Sequence, residues 1–306
     1  MRERILDRYQ PLPHILSLDD FNDGFCGWQT LFPDYDGWVD YPGKHPDLDS
    51  LSSSIELTHA GGQRVDRRLP LGVRAVPMLT SMTSWDIGTQ GSWNGNYALK
   101  IPALPRTGDK GIAVKRLTSP WRGRVRFETW FSYKAGHEDF HLGDTAIASI
   151  LFCTDVMDHD FQHSPGSARW WPSVRYLNYE QNSLVGRWQI QTRGAVGVFD
   201  GPWTDIPDGA QALAFNRSPT KYQWHYLRLT YDLRSHSYVD FHCYGREFNV
   251  KGLRHEPDPP LPGYRASTDR CAGLIAVCMG VEAAQDRRCF LLIDSVVISA
   301  DEGQGG

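Results

Sequence analysis

Histidines and carboxylates gather in the run Asp155-Val156-Met157-Asp158-His159-Asp160-Phe161-Gln162-His163. Imidazole and carboxylate groups at this density can ligate a transition metal, or can give and take protons as acid and base. The run follows an apolar stretch, so it falls at a strand end or loop, where binding residues concentrate. A second group, His137, Glu138, Asp139 and His141, precedes the same stretch. Roughly ten strand residues span about 33 Å, so the two groups do not converge directly. At least one of them reads as a polar surface loop. His159, His163, Lys134 and Glu180 are the candidates for base or acid, with Arg126, Arg175 or a metal to hold a developing negative oxygen.

Rings and arginines interleave in Arg169-Trp170-Trp171-Pro172-Ser173-Val174-Arg175-Tyr176-Leu177-Asn178-Tyr179-Glu180. The apolar C–H face of a sugar stacks on Trp and Tyr, while its rim hydroxyls bond to Arg, Asn and carboxylates. Trp170, Arg175 and Tyr179 are therefore candidate sugar contacts, with Trp85 and Trp93 as a second wall. Any one of these Trp residues is more often buried in a core. As a group they read as a ligand surface.

These groups need strands to position them. Short β-type runs occupy 97–104, 112–117, 123–134, 145–156, 173–180, 187–193, 224–233, 238–244, 274–281 and 289–299. Turn chemistry separates them, as in Asp200-Gly201-Pro202 and Pro207-Asp208-Gly209. A helical period is almost absent. The pattern predicts an all-β sandwich with long loops. The run 123–134 shows two faces, since side chains alternate along a strand. Val125, Phe127, Phe131 and Tyr133 read as core. Arg126, Glu128, Trp130 and Lys134 point the other way and serve equally as a ligand surface or as a solvated face with cross-strand ion pairs. The organisation expected is a lead-in over 1–17, one domain over 18–300 and a tail over 301–306.

The chain of 306 residues carries 32 Lys and Arg against 36 Asp and Glu, a formal charge of −4. That balance gives no reason to expect nucleic acid or an anionic membrane as partner. No segment approaches the ~18–20 apolar residues that cross a bilayer, and the start shows no apolar run of a secretory signal. A cytoplasmic protein is expected. The six cysteines form no C-x-x-C pair and read as reduced, buried thiols. Phosphate-loop, dinucleotide and serine-hydrolase motifs are missing, so no nucleotide cofactor is expected.

Asp19-Asp20-Phe21-Asn22-Asp23-Gly24, followed by Gly27-Trp28, resembles the first strand of concanavalin-A-like and carbohydrate-binding jelly rolls. Leu291–Ser299 resembles their last strand, and Trp224–Asp232 another strand of such sandwiches. The resemblance covers about residues 18–300 and implies a jelly-roll β-sandwich with the first and last strands side by side. It also implies a structural calcium between them, with Asp20, Asn22, Asp23 and Asp294 as oxygen ligands. Turn formation by Asn22-Asp23-Gly24 is the competing reading. The stretch 83–100, with Ala113–Thr118, resembles an intracellular sugar-catabolic jelly-roll family that includes β-eliminases of 3-keto anhydrosugars. No catalytic residue is carried over from it. The expected function is a carbohydrate-active lyase or hydrolase that abstracts a proton from a small, oxidised sugar. The alternatives are a non-catalytic carbohydrate-binding protein, and a glycoside hydrolase with Glu128 and Glu180 as paired carboxylates. A divalent metal is expected either as the structural calcium or as a catalytic ion at the His/Asp cluster.

Overall fold

A computed structural model describes residues 6–30, 54–58, 64–68, 77–81, 92–104, 107–118, 123–134, 147–158, 168–181, 183–193, 202–213, 223–256, 274–286 and 289–302. Its strands are β1 (His14–Asp19), β2 (Gln29–Thr30), β3 (Ser54–Thr58), β4 (Arg64–Arg68), β5 (Met78–Ser81), β6 (Tyr97–Ala103), β7 (Lys110–Thr118), β8 (Arg124–Lys134), β9 (Ile147–Asp158), β10 (Ala168–Trp170), β11 (Ser173–Glu180), β12 (Ser183–Gln191), β13 (Trp203–Ala210), β14 (His225–Asp232), β15 (Ser237–Cys243), β16 (Arg246–Phe248), β17 (Leu274–Ala283) and β18 (Cys289–Ala300). They form two large antiparallel sheets, the jelly-roll sandwich that the alternating pattern implied. Sheet A runs β16-β15-β14-β8-β18-β6-β5, and sheet B runs β13-β12-β11-β9-β17-β7-β2. The β3–β4 hairpin stands apart from both.

Alternation builds the core. Val125, Phe127 and Phe131 of β8, with Leu227, Leu229 and Tyr231 of β14, face Ile150, Phe152, Val174, Tyr176, Trp188, Val277 and Met279 of sheet B in one buried cluster. Burial of this kind is worth roughly 1.5–3 kcal/mol for each large apolar side chain. The ten strand-like runs of the sequence all form strands. Pro207-Asp208-Gly209, expected as a turn, lies inside β13 instead. There residues 206–209 bulge out opposite Trp188, and Asp208 adopts a left-handed φ of 54°. The turn residues therefore act as a β-bulge, which inserts extra residues without ending the strand.

Strand β18 is buried along its whole length on both faces. One edge pairs with β8 throughout. The other edge is divided: β6 takes Cys289–Ile293, and β1 takes Val296–Ala300. First and last strands thus lie side by side, but β1 is His14–Asp19, and the run 20–28, read as part of the first strand, is turn and loop. Between the two partners sits a bulge at Asp294 and Ser295, with Ser295 at a φ of 54°. The gap between β1 and β6 opens a corner at Asp294, on the outward side of sheet A.

The stretch 6–13, read as lead-in, packs across that outward side. Tyr9 and Leu12 are buried there, and Tyr9 joins Val297, Leu6, Leu18, Trp130 and Tyr226 in an apolar cluster. A second tie holds the opposite edge. Lys115 on β7 donates to Ser17 Oγ, to both carboxylate oxygens of Asp19 and to the Cys26 carbonyl at 2.7–2.8 Å. Trp28 Nε1 also donates to Asp19, at 2.9 Å. This buried ion pair links β1 of sheet A to β7 of sheet B. The five described cysteines form no disulfide, and Cys153, Cys243, Cys278 and Cys289 are buried.

Candidate functional site

The outward face of sheet A is built by one register. Arg126, Glu128 and Trp130 of β8 stand opposite Thr230, Arg228 and Tyr226 of β14, all pointing away from the core. Next along, Asp240 and His242 of β15 continue the same face beside Thr230 and Arg228. Glu247 of β16 follows, opposite His242. The result is a cavity of about 510 Å³ lined by Arg8, Gln10, Trp130, Trp224, Tyr226, Arg228, His242, Tyr244, Gly245 and Glu247. Its size falls within the range of small-molecule sites.

Rings form the walls. Trp130 stacks on Trp93 at 5.1 Å between centroids and 22° between planes, and lies 5.5 Å from Tyr226. Tyr226 in turn is 5.5 Å from His242. Tyr244 stands edge-on to His225 at 4.6 Å.

Beneath the rings the polar groups are interlocked through the N-terminal segment. The Gln10 amide N–H donates to Glu128 Oε1 at 2.7 Å. Arg126 donates to the Gln10 carbonyl, and Arg228 to its side-chain oxygen. Tyr9 donates to the Ser295 carbonyl at 3.0 Å, and the Leu12 N–H to Ser299 Oγ at 2.9 Å. Asp240 sits between two guanidinium groups, 3.2 Å from Arg126 and 2.8 Å from Arg228. Arg228 also reaches Glu247 at 3.4 Å.

Glu128, Tyr226 and His242 have shifted acidities. Burial raises the Glu128 carboxyl above its ordinary value, against the Tyr226 hydrogen bond, which lowers it. Burial, followed by the adjacent Glu128 charge, holds the Tyr226 hydroxyl protonated far beyond the usual phenol range. Burial and then Arg228 lower His242, so its imidazole is neutral at pH 7. His242 Nδ1 has no hydrogen-bond partner, nor do Glu128 Oε2 and Trp130 Nε1. A neutral imidazole, a fixed phenol and an oriented guanidinium facing one cavity can abstract a proton and hold the oxygen where charge develops.

Three of the expected calcium ligands, Asp20, Asn22 and Asp294, come near one another at the corner beside β18, and among the described residues no contact ties Asp23 to them. Asp294 accepts from the Trp93 N–H, from the Asn94 N–H at 2.7 Å and from Ser295 Oγ at 2.7 Å. Asn22 Oδ1 accepts from the Asn96 N–H at 2.7 Å, and Asp20 Oδ1 from the Asn22 N–H at 3.1 Å. Gly95 has a φ of 90°, a conformation that favours glycine, and a Cβ there would crowd the Asn22 side chain. Calcium takes six to eight oxygen ligands, whereas Asp294 and Asn22 Oδ1 here accept N–H and O–H donors. The hydrogen-bonded set has a structural role. It fixes the 92–96 loop that carries Trp93. Among the described residues no group of three or more His, Cys, Asp or Glu is placed to hold a metal.

The remaining expected site residues are divided. Trp93, Glu128 and Trp130 reach the sheet A site. Arg126 is beside it, tied to Thr230, Gln10 and Asp240. Trp170 is a correction: it is fully buried in the core against Tyr231 and His236, so it offers no face to a ligand. Arg175 alternates with core residues Val174 and Tyr176 on β11, so it points out from sheet B on the opposite side of the sandwich. There it bonds Gln189 and lies 4.6 Å over Trp203. Tyr179 and Glu180 end the same strand. Glu128 and Glu180 therefore belong to different sheets and share no face. Of Lys134, the backbone pairs with Phe290. Trp85, His159 and His163 lie outside the described residues, as do His137 to His141 and the link between the His/Asp run and the site. Tyr226, Arg228, His242, Tyr244, Glu247, Arg8 and Gln10 were not singled out from sequence. Applying to 224–233 and 238–244 the same alternation that was read on 123–134 finds Tyr226, Arg228 and His242.

Among solved structures, the cellulose-induced protein Cip1 is 13% identical over 94% of this chain and all of that one, with a TM-score of 0.39. Alginate lyase Aly36B is 9% identical over 75% of this chain and 98% of that one, with a TM-score of 0.39. The lectin UEA-II, solved with galactose, is 11% identical over 66% and 86%, with a TM-score of 0.35. Likeness at this level carries no argument about what the chain does. The narrower likeness to β-eliminases of 3-keto anhydrosugars finds no support in these comparisons. No curated protein matches the sequence. A family model matches residues 1–302, and the chain belongs to that family, described as a domain of unknown function, DUF6772.

Proposed function

We propose that the cavity on sheet A binds a small carbohydrate and that His242 removes a proton from it, making the protein a carbon–oxygen lyase of an oxidised sugar. The observation that carries the reading is the convergence of His242, Tyr226 and Arg228 on one ring-walled cavity. The C–H faces of the sugar would stack on Trp130 and Trp224. A carbonyl on the sugar acidifies the neighbouring C–H. His242 takes that proton, and Arg228 faces the enolate oxygen that forms. The enolate electrons then expel the oxygen on the next carbon. Its C–O bond breaks, a C=C bond forms, and the imidazolium returns its proton to the leaving oxygen. The Tyr226 hydrogen is committed to Glu128, so its oxygen is free to accept a hydroxyl of the sugar and orient the ring. A pocket with stacking walls and polar groups also suits a purely binding role.

A methyl 3-keto-glucoside separates the two. The lyase reading expects an unsaturated ketone to accumulate, seen by ultraviolet absorbance. His242→Ala should lower that rate by about 10²–10⁴-fold while calorimetry still shows binding. Binding with no turnover in the wild type leaves a binding protein. Neither binding nor turnover removes the proposal.

A further inference from the structure

We propose that the sugar taken by this cavity carries an anionic group, a carboxylate, sulfate or phosphate, and that Arg8 receives it. The inference rests on the sugar-binding reading above and narrows its substrate class. Its basis is the distribution of charge around the cavity. Arg126 and Arg228 share Asp240, and Arg228 also meets Glu247, so both of these cations are already paired. Arg8 lines the same cavity, and no carboxylate of the described residues pairs with it. Its guanidinium rests 5.7 Å over the ring of Trp93, which itself stacks on Trp130. An arginine on an aromatic face keeps its edge donors free for a planar or tetrahedral anion.

The backbone on either side of Arg8 is fixed. The Tyr9 N–H closes a turn onto the Leu6 carbonyl at 2.9 Å, the Tyr9 hydroxyl reaches Ser295, and the Gln10 N–H reaches the buried Glu128. The cation is thus delivered to the mouth by a segment locked to the sheet. It sits beside the ring wall on which a sugar would stack. A sugar lying on Trp130 would bring an exocyclic acidic group alongside Arg8, whereas a neutral sugar offers it no counter-charge.

Calorimetry with methyl glucuronide, glucose 6-sulfate, glucose 6-phosphate and methyl glucoside tests this, using the full chain and an Arg8→Gln variant. Arg8 is exposed, and circular dichroism verifies that the variant folds. The expected result is about tenfold tighter binding of at least one acidic sugar than of the glucoside, equivalent to one well-placed ion pair. Which acid is preferred identifies the anionic group. The preference should weaken with added salt and vanish in Arg8→Gln. Equal binding of all four sugars by the wild type, or a preference that survives in Arg8→Gln, overturns the inference and leaves the sugar site standing. Binding of none of the four overturns both.

Discussion

At the scale of single residues, the chemistry turns on how burial and neighbours set protonation. His242 has an ordinary imidazole value of 6.5, lowered by burial and by Arg228. A base must be neutral to act, so activity is lost only as pH falls through that lowered value. The acid limb of kcat/KM for a keto-sugar substrate should therefore lie below 6.5. Arg228→Gln should move the limb upward, because one of the two lowering influences is gone. A limb at or above 6.5 in the wild type, or one that Arg228→Gln leaves in place, contradicts the assignment of His242. Glu128 shows how a correct residue can carry a different role. It was legible as an outward carboxylate from the alternation around it. What alternation does not contain is Gln10, which arrives from more than a hundred positions away and covers it. Glu128 thereby becomes the buried acceptor that fixes Tyr226 and the N-terminal segment.

At the scale of elements, the divided edge of β18 places the ring wall. Between β1 and β6 the bulge at Asp294 turns a carboxylate toward the 92–96 loop, and Trp93 follows. Burial, opposed by the hydrogen bonds from the loop, raises Asp294 from 3.8 to about 6. The folded chain thus holds this proton more tightly than the unfolded chain. Its contribution favours the native state most below about pH 4 and declines as pH rises through about 6. The gap corresponds to roughly 3 kcal/mol. Urea unfolding of the wild type and of Asp294→Asn should show the wild type losing ground to the variant between pH 4 and 7. Asparagine keeps an oxygen for the loop N–H groups without a charge. A difference that stays constant over that range contradicts the account. The strands themselves were readable because their side chains alternate. Strand β13 was not, since Pro207-Asp208-Gly209 reads as a turn wherever it stands, and only pairing with β12 reveals it as a bulge.

At the scale of the whole molecule, two sheets back to back decide which residues can cooperate. Rings and charges near each other in sequence can leave on opposite sides. Trp130 and Arg175 were both read as candidate ligand contacts, and the sandwich puts them on its two outer faces. The fold was legible, because pattern and turn chemistry specify strands and layers. The site was half legible, because the face of each strand could be read while the pairing of β8 with β14, distant in sequence, could not. The central claim is that the sugar sits on sheet A under the N-terminal segment. The most direct check is an NMR titration with the acidic and neutral glycosides, following the indole N–H signals of Trp130 and Trp203. Trp130 should shift in a saturable way while Trp203, beneath Arg175 on sheet B, stays still. A saturable shift at Trp203 with none at Trp130 would contradict the account.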